Sequence, residues 1–403
     1  MRTRAVCTPA VLLLLLSASA QAATKAGAKP GDKGGGTVTL TPDSEGKRPT
    51  IAADAKGTLY VAFEGAGATA GGPSDVLFTA STDGGKTWSK PADLSNTPGA
   101  TADPAIAVGK DGSIVVVWTD AGTENHPDIF AVRSTDGGKT WSKPADVSAT
   151  PGVSSEPDVK VGPDGAIHVV WLDTTGSETA PDVWFAGSTD GGKTWSKAVN
   201  VSNTPGKSMT PSIAMGANGA IAVVWCDTTS GAQSPDVFFS GSTDGGKTWS
   251  KSIDVSNTPG ISSEADVTID AKGHIYVAWT DTSASAKSPD IMVSASTDGG
   301  KTWSKPVDAS NTPGVSADAA IASTGAGTIA VVWVDTSEGE ANADVWSTVS
   351  TNGGKSFKKA SNLSKSPGMS KEPDVTVAGG KVYAVWEEIE DGKSRIKLAS
   401  FAP

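Results

Sequence analysis

Cysteine is almost missing from this 403-residue chain: there are two, Cys7 and Cys226. Histidine and tyrosine occur three times each, and beyond residue 22 arginine appears only at Arg48, Arg133 and Arg395. Each scarcity closes a route. With Cys7 in an N-terminal leader, no disulfide can form in the remainder, and stability must come from a core. His126, His168 and His274 are scattered and lack the spacing of a zinc site. Cys226 takes a slot that holds Leu172, Thr119 and Val334 elsewhere, which marks it as a packing residue rather than a nucleophile. Gly-Gly-Lys-Thr recurs without the earlier glycine of a phosphate loop, which argues against a nucleotide site. Apolar runs are short as well. Leu12 to Leu16 follows Arg2 and Arg4 and ends in Ala20, Gln21 and Ala22, too brief to span a bilayer but patterned as a Sec-type signal peptide. We expect residues 1–22 to be that signal, 23–36 a flexible Gly-, Lys- and Ala-rich linker, and 37–403 one exported domain, periplasmic or extracellular. The formal charge of −11 becomes −13 once Arg2 and Arg4 are removed, which disfavours nucleic acid and anionic membranes as partners.

What the chain has in abundance is repetition. Ser-Thr-Asp-Gly-Gly-Lys-Thr-Trp occurs at 81–88, 134–141, 188–195, 242–249 and 296–303, and a degenerate copy, Ser-Thr-Asn-Gly-Gly-Lys-Ser-Phe, at 350–357. Successive copies lie 53 or 54 residues apart. Each unit holds four short β-like stretches divided by turn residues and no helix-period segment, the signature of a propeller blade. The opening strand recurs seven times, near Arg48, Asp103, Glu156, Thr210, Glu264, Asp318 and Glu372, although the boxes stop at six. The last unit lacks a fourth strand, and Thr37 to Pro42 is a β-prone stretch without a blade of its own. The expectation is an all-β, seven-bladed propeller of four-stranded antiparallel blades closed by the N-terminal strand, with six blades as the alternative.

The eight-residue string resembles the Asp-box, or BNR, repeat of the sialidase-like propeller superfamily, and the resemblance runs over about residues 37 to 403. It implies a structural turn between the third and fourth strands of each blade rather than an activity. The residues agree: Asp83, Asp136, Asp190, Asp244, Asp298 and Asn352 can accept from turn amides, and the paired glycines supply positive φ.

Alternating strand direction places the boxes on one face and the functional loops on the other. Carboxylates crowd that second face. One set opens the first strand (Asp103, Glu156, Glu264, Asp318, Glu372). Another lies two residues past the strand-two tryptophan (Asp120, Asp173, Asp227, Asp281, Asp335, with Glu388), and a third opens the third strand (Asp75, Asp128, Asp182, Asp236, Asp290, Asp344). Read blandly, they cap turns; read functionally, they form an acidic binding face. No motif calls for a cofactor, though such a face leaves room for a divalent cation such as calcium.

The resemblance also defines what a sialidase would need: three arginines around a substrate carboxylate, a Tyr/Glu nucleophile pair and an aspartic acid/base. Arg133 adjoins a box, on the wrong face, and Tyr60, Tyr276 and Tyr383 fall at the box-side end of their strands. The repeat breaks only in blades one and seven, where Arg48, Arg395, Glu387, Glu388 and Glu390 are the candidate catalytic cluster. The leading expectation is a monomeric binding or scaffold propeller that meets a glycan, a cation or a basic protein. A sialidase-like glycoside hydrolase is the runner-up.

Overall fold

Chain chemistry that alternates β-branched and small residues between Gly- and Asp-rich turns folds, among the described residues, into strands joined by turns, without a helix. The computed structural model describes residues 37–41, 44–67, 72–97, 99–122, 126–231, 234–285, 287–339 and 342–403. The expected signal peptide and linker, and Pro42 of the closing strand, lie outside the described residues. Seven four-stranded antiparallel sheets are arranged as seven blades, which settles the count against six. Blade three is representative, running outward from Ser154–Val161 through Ile167–Asp173 and Asp182–Ser188 to the two-residue edge Val199–Asn200.

Closure of the ring follows the expected route. Val38 and Thr39 pair antiparallel with Leu398 and Lys397, so the N-terminal segment supplies the outermost strand of the seventh blade. The pairing continues as Leu40 N donates to Ile396 O and Ile396 N to Thr41 Oγ1. Leu40 is itself buried in a cluster with Ile51, Phe63, Ile396 and Leu398. The closing strand thus joins the last blade by its backbone and the first by its side chain.

The core is divided among the joints between blades. Seven apolar clusters each draw on two neighbouring blades, and at every joint a ring from the second strand is fully covered: Phe63, Trp118, Trp171, Trp225, Trp279, Trp333 or Trp386. An aromatic ring buried this way removes roughly 150–250 Å² from water. A buried indole also carries an N–H that needs an acceptor, and the sequence provides one two residues on. Trp225 Nε1 donates to Asp227 Oδ2 at 3.1 Å, and the same contact recurs at Trp118–Asp120, Trp171–Asp173, Trp279–Asp281, Trp333–Asp335 and Trp386–Glu388.

The box turns are exposed rather than buried, Asp190 included, yet each is saturated with hydrogen bonds. Asp190 accepts from Ser188 Oγ, Lys193 N, Thr194 N and Thr194 Oγ1. These donors, with the Thr194 hydroxyl foremost, hold its carboxyl well below the usual range. Asn352 keeps the geometry of the degenerate copy by accepting from Ser350 Oγ and Ser356 N and donating to Ser356 Oγ.

Candidate functional site

Every innermost strand carries the same irregularity near its start. In blade one, Lys47 pairs with Glu64 and Thr50 with Ala62, so Arg48 and Pro49 together face the single residue Phe63. This is a β-bulge, and it recurs in all seven blades. Its first residue has a positive φ each time: Arg48, Asp103, Glu156, Thr210, Glu264, Asp318 and Glu372, all between 46° and 56°. None is glycine, so each costs on the order of 1 kcal/mol in backbone strain, held in place by the surrounding sheet. Bulges re-aim side chains. Here they turn five carboxylates, a threonine and an arginine around the mouth of a central channel of about 920 Å³.

Below that layer the channel is lined by a second ring of Thr50, Ala105, Asp158, Ser212, Asp266, Ala320 and Asp374. Its aspartates stitch adjacent blades together. Asp158 accepts from Ile213 N at 2.9 Å, Asp266 from Ile321 N at 2.8 Å and Asp374 from Ile51 N at 2.8 Å. Ser212 Oγ donates to Asp266 Oδ1 at 2.7 Å and Thr50 Oγ1 to Asp374 Oδ2 at 2.9 Å. Lys160, one layer deeper, reaches Asp158 Oδ1 at 3.1 Å. Burial opposes the charge of Lys160, but Asp158, Asp266 and Asp374 outweigh it and raise the pKa. Burial likewise pushes the Asp266 carboxyl up to about 6, and raises Asp374.

Arg48 is not an open cation. Its NH1 lies 2.9 Å from Glu64 Oε1 and 3.3 Å from Asp103 Oδ1, and its Nε lies 3.6 Å from Glu372 Oε1. Burial disfavours the guanidinium charge, yet these three carboxylates raise its pKa above the ordinary arginine value. Glu64 also accepts from Asp103 N at 2.9 Å, and desolvation raises its pKa despite Arg48. Glu387 is 1% exposed on its side chain, takes Lys371 Nζ at 3.2 Å and Ser394 Oγ at 2.6 Å, and is raised by burial.

The expected catalytic cluster therefore separates. Arg48 lines the channel beside Glu372 of the expected binding face, and Glu387 pairs with Lys371 of the same strand pair. Glu388 is buried inside blade seven, accepting from Ser366, Ser370 and Trp386. Arg395 and Glu390 pair with each other at 3.6 Å outside the channel lining. Of the expected binding face, Asp103, Glu156, Glu264, Asp318 and Glu372 open on the channel. Asp120, Asp173, Asp227, Asp281 and Asp335 are at most 3% exposed and act as the indole acceptors described above. Asp344, which opens a third strand, accepts from Asn362 Nδ2 of the edge strand and from Ser364 Oγ just after it, and Asp182 does the same with Asn200 and Ser202.

Among the described residues no group of three or more His, Cys, Asp and Glu is placed to hold a metal ion. The mouth carboxylates are instead engaged by Arg48 and by backbone and hydroxyl donors, and the described residues assemble no calcium site. Tyr60 and Tyr276 donate to Asp54 and Asp270 in the turns of the box face, away from the mouth. Cys226 is buried and accepts from Thr210 Oγ1 at 3.3 Å. Glu64, Asp158, Lys160, Asp266 and Asp374 were not singled out from the sequence. For the three aspartates the signal was there: Glu-Pro-Asp-Val at 156–159 and 372–375 and Glu-Ala-Asp-Val at 264–267 mark blades three, five and seven.

Comparisons with known proteins agree with this architecture. The BNR repeat-like domain model matches residues 57–288, and the BNR/Asp-box repeat matches 295–305. No curated protein matches the sequence. A protein of unknown function from Dyadobacter fermentans is 15% identical, with a TM-score of 0.56 over 90% of this chain and 97% of its own. A polysaccharide lyase, an ulvan lyase, is 13% identical, with a TM-score of 0.62 over 90% and 95%. The Hadza microbial sialidase Hz136 is 17% identical, with a TM-score of 0.53 over 79% of this chain and 66% of that one. At these identities the likeness is one of fold.

Proposed function

The chain belongs to the BNR repeat-like domain family, as a β-propeller of the sialidase-like superfamily, and from that premise we propose that it is an exported binding propeller whose acidic channel mouth receives a neutral or amine-bearing glycan. The observation that carries this reading is the clasp on Arg48. Its single guanidinium is already shared among Glu64, Asp103 and Glu372, while Glu156, Glu264 and Asp318 add further negative charge to the same rim. A sugar carboxylate entering there meets repulsion, whereas hydroxyls and an ammonium find acceptors. The neighbours named for a polysaccharide and for sialosides make a saccharide the first ligand class to test.

One observation favours catalysis as a second reading. Burial in the channel pushes the Asp266 carboxyl up to about 6, which suits a general acid if a substrate reaches it. The deciding experiment is a glycan array on residues 37–403 alongside hydrolysis of fluorogenic glycosides. We expect binding to neutral or amino sugars, weakened by Glu156→Gln with Glu264→Gln, and no sialoside turnover. Sialoside turnover abolished by Arg48→Ala would overturn the binding reading in favour of the hydrolase.

A further inference from the structure

The face opposite the mouth carries the other sign of charge. Each box contributes one exposed lysine inside the turn and at least one just after it, such as Lys139 with Lys143 and Lys193 with Lys197. Among the described residues none of these ammonium groups is in an ion pair. The neighbouring aspartate does not neutralise them through contact. Asp136, for example, spends its oxygens on Ser134, on the Lys139 and Thr140 amides and on the Thr140 hydroxyl. The side chain of Lys139 is left to solvent while its backbone N–H completes the turn.

Beside each lysine in five of the boxes stands an indole that is only partly covered. Three of the five are buttressed by a second ring. Trp141, Trp249 and Trp303 meet Phe78, Phe185 and Phe239 of the preceding blade edge-on, at centroid distances of 4.9, 5.1 and 5.3 Å. A partly exposed aromatic ring in a turn that also carries exposed lysines offers an apolar surface for a sugar ring and a counter-charge for its acid group. The channel carboxylates lie at the other end of the strands, so screening at physiological ionic strength, with a Debye length of about 8 Å, confines their influence.

We propose that the ring of boxes is a second binding surface, for an acidic polysaccharide that follows the rim from blade to blade. Each box holds one segment weakly, through an exposed ion pair and a ring contact, and the repeats in series supply the affinity. Lysine rather than arginine at each station suits spaced single charges rather than bidentate phosphate recognition. Bound this way, the propeller presents its channel mouth outward. The proposal stands independently of what the mouth binds.

The test is titration of residues 37–403 with polygalacturonate, read by affinity electrophoresis and tryptophan fluorescence. Dextran, polyphosphate and anionic phospholipid vesicles are the comparison probes. Polygalacturonate is expected to bind at low salt, to quench fluorescence and to release as salt rises, while dextran does not bind. Replacing Lys139, Lys193 and Lys247 together by glutamine should weaken binding about tenfold, the combined effect of three exposed ion pairs, with an unchanged melting temperature. Glu264→Gln at the mouth should leave this binding unaltered. Undiminished binding by the triple variant overturns the surface. Equal binding of polyphosphate or vesicles without a fluorescence change overturns the saccharide.

Discussion

Arg48 occupies a position where the equivalent residue is acidic in five of the other six blades, and its contacts explain why the exception is tolerated. With 19% of its side chain exposed, it satisfies Glu64 and draws in Asp103 and Glu372. Arg48→Met would leave three carboxylates facing one another with no cation between them. We expect a loss of about 2–3 kcal/mol at pH 7.5, measured by chemical denaturation. Protonation of Glu64 relieves the repulsion, so the deficit should shrink at pH 5; a deficit that grows on acidification would contradict the clasp. Asp190 tests the boxes. Asp190→Ala removes the acceptor of four donors and should lower the melting temperature, while Asp190→Asn should stay closer to the native value, because Asn352 already performs the same task. Equal melting of all three proteins would show that the turn holds without its acceptor.

At the scale of the strand and its loop, the tryptophan and the carboxylate two residues later behave as one unit. Asp227 accepts from Trp225, Thr204, Ser208 and the amide of Thr229, and is fully buried. Asp227→Ala should therefore cost more than about 3 kcal/mol, since several buried donors lose their only partner together; a melting shift no larger than that of an exposed loop variant would refute the unit. Blade one supplies the natural control. Phe63 replaces the indole there, and Gly65 stands where the acid would be: without an N–H to satisfy, the carboxylate is absent. This covariation was legible in the sequence, yet these acids were grouped with the open face. Their burial is created by the loop from the preceding blade folding over them, a tertiary contact that strand periodicity does not encode. The blade itself, by contrast, was readable because turn residues and apolar alternation are local. Ring closure was readable because an unpaired strand at one end matched a missing strand at the other.

Over the whole molecule, two populations of carboxylate pull stability in opposite directions with pH. Asp266 and Asp290 are raised to about 6, chiefly by desolvation, with Asp308 also acting on Asp290. Stability from such groups is complete below their unfolded value of 3.8 and is lost as pH rises through about 6. The boxes run the other way. Hydrogen bonds to the carboxyls of Asp244 and Asp298, led by those from Thr248 and Thr302, hold them near 2, so their contribution is present above 3.8 and lost as pH falls toward about 2. The melting temperature should be higher at pH 5 than at pH 7.5 and fall again below about pH 3.5. A monotonic rise from pH 4 to pH 8 in a calorimetric series would be incompatible with this balance.

The Glu-x-Asp bulges of blades three, five and seven have a further consequence, which is one of parity. A pattern that changes with every step closes without conflict around an even ring but never around one of seven. Somewhere two blades of the same kind must meet: a Glu-x-Asp pair in blade one would adjoin blade seven, and without it blade one, with Thr50, resembles its neighbour blade two, with Ala105. Continued faithfully, the pattern would set Glu372 and Asp374 beside a second such pair; the chain has Arg48 and Thr50 instead. The substitution that breaks the pattern is thus what an odd circumference demands. It leaves a nearly symmetric ring with a single direction in which it differs from itself, a fixed bearing from which an asymmetric ligand can be oriented.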